Sequence, residues 1–94
     1  MDLQLSGKVV VVTGGGRGHG ESMSLALADE GANVVVLDVN GENARSVQER
    51  IAQRGRTCVG PQVDITQLPR VEEVMRATKE RFGRIDVLVN NACA

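Results

Sequence analysis

Four consecutive valines, Val9 to Val12, run through Thr13 into a turn that holds five glycines in seven residues, Gly14 to Gly20. A second apolar run, Val34-Val35-Val36-Leu37, follows and ends on Asp38. Uninterrupted β-branched runs of this kind read as strands buried on both faces of a parallel sheet, because an exposed face would impose a polar alternation. Two parallel strands need a crossover, and the residues between them have the length for one helix. The chain is thereby constrained to an α/β architecture from its first forty residues.

The remaining punctuation agrees. From about Gly18 to Glu30 the residues Met23, Ala26, Leu27 and Glu30 follow helical spacing, with Gly31 as the stop. Ala44, Val47 and Ile51 mark a second helix ending near Gly55, and a weaker strand is expected around Thr57 to Val63. Pro61 lies inside that run and cannot donate a ladder hydrogen bond, which assigns this third strand to the sheet edge. Val71, Val74, Met75, Thr78 and Phe82 form the clearest amphipathic stripe, closed by Gly83, and Asp86 to Asn90 is the fourth strand. Right-handed crossovers then give a four-stranded parallel sheet of order 3-2-1-4, one half of a doubly wound fold, with helices one and two on one face and helix three on the other.

Composition excludes several function classes. With 11 basic and 12 acidic residues the formal net charge is -1, so no global field draws in a nucleic acid or an acidic membrane surface. Arginines 45 to 56 and 70 to 84 are interleaved with acids, such as Glu72 beside Arg76, as on solvated helix faces. Phe82 is the single aromatic, which leaves no stacking platform for single strands. Cys58 and Cys93 lack the spacing of a zinc site and read as reduced thiols. Neither a basic leader nor an apolar run of spanning length is present, so the expectation is a cytoplasmic protein with no membrane partner.

The glycine turn is where the chemistry concentrates. Missing side chains let backbone approach a ligand closely, and a helix N-terminus offers unpaired N–H groups to an anion, so the turn suits a pyrophosphate. Gly15 to Ser22 misses the P-loop pattern by one residue: Glu21 stands where a lysine would meet the phosphates. The shorter GxGxxG spacing is also absent, and the pattern is GxxxGxG at Gly14, Gly18 and Gly20. Asp38, 18 residues beyond Gly20, stands near the separation at which an acid accepts from the adenosine ribose hydroxyls, and its charge repels a 2'-phosphate. Arg17 opposes that preference as a cation in the turn, but residue 39 is Val and supplies no second base. NAD is therefore expected over NADP. A methyltransferase-like domain would place an acid before the glycines, where Val9 to Thr13 has none.

Thr13 to Gly20, Asp38, the pair Asp64-Ile65, and the run from Phe82 through Asn90-Asn91-Ala92 together resemble the short-chain dehydrogenase/reductases, over essentially the whole chain. The resemblance implies a Rossmann-type three-layer sandwich, with residues 1–94 as its N-terminal NAD(P)-binding domain. It further implies that Gly14, Gly16, Arg17, Gly18, His19 and Gly20 wrap the pyrophosphate and nearby ribose. Asp38 would take the adenine ribose, Asp64 and Ile65 the adenine ring, and Asn91 with Ala92 the middle of the cofactor, with Asn90 bracing the strand end. Local roles stand beside these: Asp64 as a helix cap and Asn91 as a turn residue.

Two departures stand out: His19 occupies a place where the family often has isoleucine, and Cys93 one where it has glycine. The family moves hydride between nicotinamide and an alcohol or carbonyl, using a Tyr and a Lys four residues later, with Ser and Asn. This sequence has no tyrosine, and neither Lys8 nor Lys79 matches that motif. No catalytic residue and no metal ligand is assigned. The chain reads as the cofactor-binding front of a longer, homo-oligomeric enzyme, inactive by itself and completed by a C-terminal half that brings the substrate pocket. The alternative is a non-catalytic dinucleotide-binding or regulatory module.

Overall fold

The computed structural model describes residues 4–16 and 18–91. Its elements run β1 (Val9–Thr13), α1 (Gly18–Asp29), β2 (Asn33–Leu37), α2 (Gly41–Gln53), β3 (Cys58–Val59), α3 (Leu68–Phe82) and β4 (Val87–Asn90). All neighbouring strands are parallel, in the order β3-β2-β1-β4. The expected α/β, doubly wound half-fold is what the chain adopts.

The two valine runs are the centre of the molecule, and alternate side chains serve opposite faces as the strand period requires. Val10, Val12, Val34 and Val36 pack with Ala28, Ala44, Val47 and Ile51 from α1 and α2. Val9, Val11, Val35 and Leu37 pack with Val63 and with Val74 of α3. The result is three layers. All eight strand residues are at most 1% exposed, and each fully buried side chain of this size contributes about 1.5–3 kcal/mol.

Helix α2 buries Ala44, Val47 and Ile51 as its spacing predicts, and Asn40 caps it by accepting from the Glu42 and Asn43 amides. Helix α3 begins one residue after Gln67 and ends at Gly83, whose φ of 81° supplies the left-handed stop. It buries Val74 and Thr78 and half-buries Val71, Met75 and Phe82.

Helix α1 runs Gly18–Asp29, as the spacing predicts; of the spaced residues Ala26 is exposed and Met23, Leu27 and Glu30 are half-buried, and the fully buried line is Gly20, Ser24 and Ala28. Small residues four apart let this helix lie close on the valines, and the Ser24 hydroxyl is satisfied by the Gly20 carbonyl at 2.8 Å. Two expectations, on the third and fourth strands, are corrected. The third strand is two residues long rather than Thr57 to Val63, with an isolated bridge at Asp38 and Gln62 beyond Pro61. The imino ring interrupts the ladder while β3 keeps its edge position. Asp86 lies outside β4. Its carboxylate accepts from the Val9 amide at 2.8 Å and from Arg84, and the Arg84 bond, followed by the Val9 bond, holds its carboxyl below the ordinary range.

Cys58 is a buried free thiol, pushed up to about 12 by burial and so unreactive at neutral pH. No described helix is long and apolar enough to cross a membrane. Among the described residues β4 has one strand neighbour, and Val87 is 41% and Leu88 57% exposed. An apolar strand edge of this kind pairs with other chains. We therefore expect the isolated chain to self-associate, and Leu88→Lys to shift it toward monomer. Light scattering after gel filtration checks this: a monodisperse wild-type monomer would contradict it.

Candidate functional site

The ends of β1, β2 and β4 converge on the glycine turn, and hydrogen bonds between residues distant in sequence hold it. The Thr13 hydroxyl meets Asn90 Oδ1 at 3.0 Å and the Val89 carbonyl at 3.3 Å, and accepts from the Asn91 amide at 3.0 Å. Asn91 Nδ2 reaches the Gly14 carbonyl at 3.4 Å. Asn90 therefore does brace the strand end, and Asn91 spans from β4 to the turn. Thr13 is the hub, a role that the strand pattern alone does not announce.

Gly20 shows why the turn requires glycine at this point. A Cβ built there would lie 2.1 Å from the Gly14 carbonyl oxygen, 2.8 Å from Gly15 Cα and 2.9 Å from Asn91 Nδ2. The first turn of α1 therefore crosses the end of β1 at backbone contact. Two residues earlier the surroundings are open: Gly18 has φ 59° and nothing within 4 Å of a built Cβ. His19 between them is exposed. The glycines thus divide their work, with Gly20 closing the turn onto the sheet and Gly18 leaving room at the helix start.

Asp38 is 8% exposed and bonded on both oxygens. Oδ2 accepts from the Gly16 amide at 3.0 Å, and Oδ1 from the Asn40 amide at 2.9 Å. The carboxylate bolts the glycine turn to the start of α2 while keeping lone-pair capacity on each oxygen. A Cβ on Gly16 would fall 2.5 Å from Oδ2 and 2.8 Å from Asn43 Cβ, so Asn43 is also part of this wall. Sequence reasoning missed Asn43; its place two residues into α2, beside a strand-end acid, was the available signal. Val39, next to Asp38, is 63% exposed.

The structure brings together Gly14, Gly16, Gly18, His19, Gly20, Asp38 and Asn91. It does not join Asp64 to them through any hydrogen bond. Oδ1 of Asp64 accepts from the Thr66 hydroxyl at 2.7 Å and from its amide at 2.9 Å, and these bonds hold the carboxyl below its ordinary range. Asp64 thus closes a local turn on Thr66 and is not the helix cap expected of it, since the N-cap of α3 is Gln67. Ile65 beside it is half-buried. Arg17 and Ala92 lie outside the described residues.

An open, glycine-lined helix start at the ends of parallel strands, with a fixed acid one strand over, has the chemistry to accept a dinucleotide. Residues 8–94 match the family model described as short chain dehydrogenase. The chain belongs to the short-chain dehydrogenase family. It is 42% identical over 91 residues to a hydroxynaphthalene reductase of Aspergillus fumigatus, covering 96% of this chain and 33% of that protein. Among solved structures, a metagenomic short-chain oxidoreductase in complex with NADP is similar, with TM-score 0.90, 34% identity and coverage of 96% of this chain and 41% of that one. An NAD+-bound xylitol dehydrogenase is similar at TM-score 0.91 and 32% identity, covering 97% and 35%. The short-chain dehydrogenase chain described here therefore spans about a third of the length of the curated relatives it matches, and its family includes structural neighbours with either nicotinamide dinucleotide.

Proposed function

We propose that these residues hold the adenosine and pyrophosphate portions of a nicotinamide dinucleotide, NAD(H) in preference to NADP(H), for an enzyme that moves hydride between nicotinamide and an alcohol or carbonyl. The observation that carries the reading is Asp38: a nearly buried carboxylate tied to Gly16 and Asn40 at the end of β2. Its remaining acceptor capacity suits ribose hydroxyls, and its fixed charge opposes a 2'-phosphate. Val39 adds no cation, while Arg17 in the turn is the one group that works against the preference.

In this reading Gly14, Gly16, Arg17, Gly18, His19 and Gly20 surround the pyrophosphate, Asp64 and Ile65 border the adenine, and Asn91 and Ala92 lie along the middle of the cofactor. The acid/base and substrate groups come from residues beyond these 94, in a cytoplasmic homo-oligomer.

Calorimetric titration tests the cofactor preference. We expect NAD+ to bind about 10- to 100-fold tighter than NADP+, the effect of one like-charge contact near a protein surface. Asp38→Asn should narrow that ratio. Equal or tighter NADP+ binding by the wild type would show that Arg17 outweighs Asp38.

A further inference from the structure

We infer that the groove between β3 and α3 is a second binding site, which takes a medium-chain aliphatic carboxylate with its chain in the groove and its head at Arg81. None of the residues that line it belongs to the glycine turn or touches Asp38, so the inference stands apart from the dinucleotide reading.

The groove follows from the short edge strand. Val59 pairs with Val35 in the parallel ladder and so faces the same side of the sheet, toward α3. Helix α3, however, buries Val74 among Val9, Val11, Val35 and Leu37 of the two central strands, and among the described residues no strand lies beyond β3. The face of β3 is therefore only partly covered. Val59 and Pro61 form one wall and Val74, Ala77 and Phe82 the other, around a cavity of about 270 Å³. An apolar cavity of about 150 Å³ already holds benzene, so this one has room for a chain of roughly eight to ten carbons. Its α3 residues extend from Arg70 to Arg81, roughly 16 Å along the helix axis, which suits an extended chain better than a ring.

The polar groups of the lining are spent, with one exception. The Thr78 hydroxyl donates to the Val74 carbonyl at 2.8 Å. Arg70 is paired with Glu73 at 2.5 Å and also donates to the Gln62 carbonyl, so those two charges offset each other. Arg81 is left over. Its guanidinium stands 5.1 Å from the centroid of the Phe82 ring, and among the described residues no acid pairs with it. The positions one turn back on its face are Ala77 and Thr78; Glu80, adjacent in sequence, points to another side of the helix. Lys79 shares the last turn of α3, and Arg84 beyond it is paired with Asp86. The groove thus offers an apolar floor with an uncommitted cation at one end, and a planar guanidinium matches a carboxylate in two-point contact. An ammonium head would be repelled there, and an alcohol of equal length would gain only the apolar part.

Calorimetric titration with octanoate, kept below the concentration at which it forms micelles, provides the test. We expect saturable one-to-one binding with Kd on the order of 0.1 to 1 mM, within the efficiency bounds for a ligand of about ten non-hydrogen atoms. Octylammonium should bind about tenfold more weakly or not at all. Ala77→Phe fills the groove from an exposed position and should abolish binding, while Arg81→Gln should weaken it about three- to tenfold, the size of one partly screened charge contact. Thermal unfolding confirms that each variant folds. Leu88→Lys removes the competing apolar surface on β4 and should leave octanoate binding unchanged. Absence of binding to the wild type, equal binding of octylammonium, or binding that survives Ala77→Phe but is lost in Leu88→Lys would each overturn the inference.

Discussion

Supplied with NAD+ and a panel of secondary alcohols, these 94 residues should give no NADH above the no-protein background, even where calorimetry shows the cofactor bound. Hydride can leave an alcohol carbon only as the hydroxyl proton is taken up, and a positioned acid/base accounts for about 10²- to 10⁴-fold of the rate. The chain has no tyrosine, and Lys8 precedes β1 while Lys79 lies on α3, neither near the glycine turn in sequence. Holding substrate against cofactor is worth more still, on the order of 7–11 kcal/mol in well-oriented systems. The relatives are about three times as long, and Asn91 is committed to bracing the turn. Within the glycine turn His19 is the side chain able to act as a base. Turnover that vanishes in His19→Asn would show that it does, and would refute the separation of binding from chemistry.

The second large effect should come from one methyl group. Gly20→Ala places a carbon 2.1 Å from the Gly14 carbonyl, a backbone atom held in the turn that cannot rotate away. Either α1 lifts from the sheet or the turn opens, and both separate Asn91 from Gly14 and disturb Thr13. Overpacking a close contact costs about 1–3 kcal/mol and more where backbone must move. For a domain of this size each kcal/mol lowers Tm by about 4–8 °C, so a fall of roughly 10–20 °C is expected. Dinucleotide binding should be lost with it. Gly55→Ala is the comparison: Gly55 has φ 74° but nothing within 4 Å, so only backbone strain of about 1 kcal/mol applies. Thermal unfolding of both variants checks the ordering, and a Gly20→Ala protein as stable as the wild type would contradict the close crossing.

Much of the architecture was legible because its signals are local and repeated. The valine runs, the Ala44, Val47, Ile51 stripe and the glycine stops each reflect a free-energy preference of a few neighbouring residues. The 3-2-1-4 order followed from crossover handedness, and Pro61 placed β3 at the edge. Where a helix is held by small residues the signal is weaker: Gly20, Ser24 and Ala28 carry no hydrophobic period, so α1 was legible from its spacing while its fully buried line was not. The extent of β3 was likewise overstated, since a run that looks like a strand needs partners on β2 throughout its length, and Pro61 breaks the ladder after two residues.

The site divides along the same line. The glycine spacing and Asp38 stand out in the sequence because residue type and separation match the roles proposed for them toward a pyrophosphate and a ribose. That Asp38 is also the bolt between Gly16 and Asn40, that Asn43 walls the turn, and that Thr13 joins β1 to residues 76 to 78 positions away became visible only in three dimensions. The sequence by itself determined the elements, their order and the chemistry offered at the strand ends. Tertiary structure alone decided which of those polar groups are consumed in holding the turn and which face open space, because a hydrogen bond between distant strands leaves no periodic trace in either one.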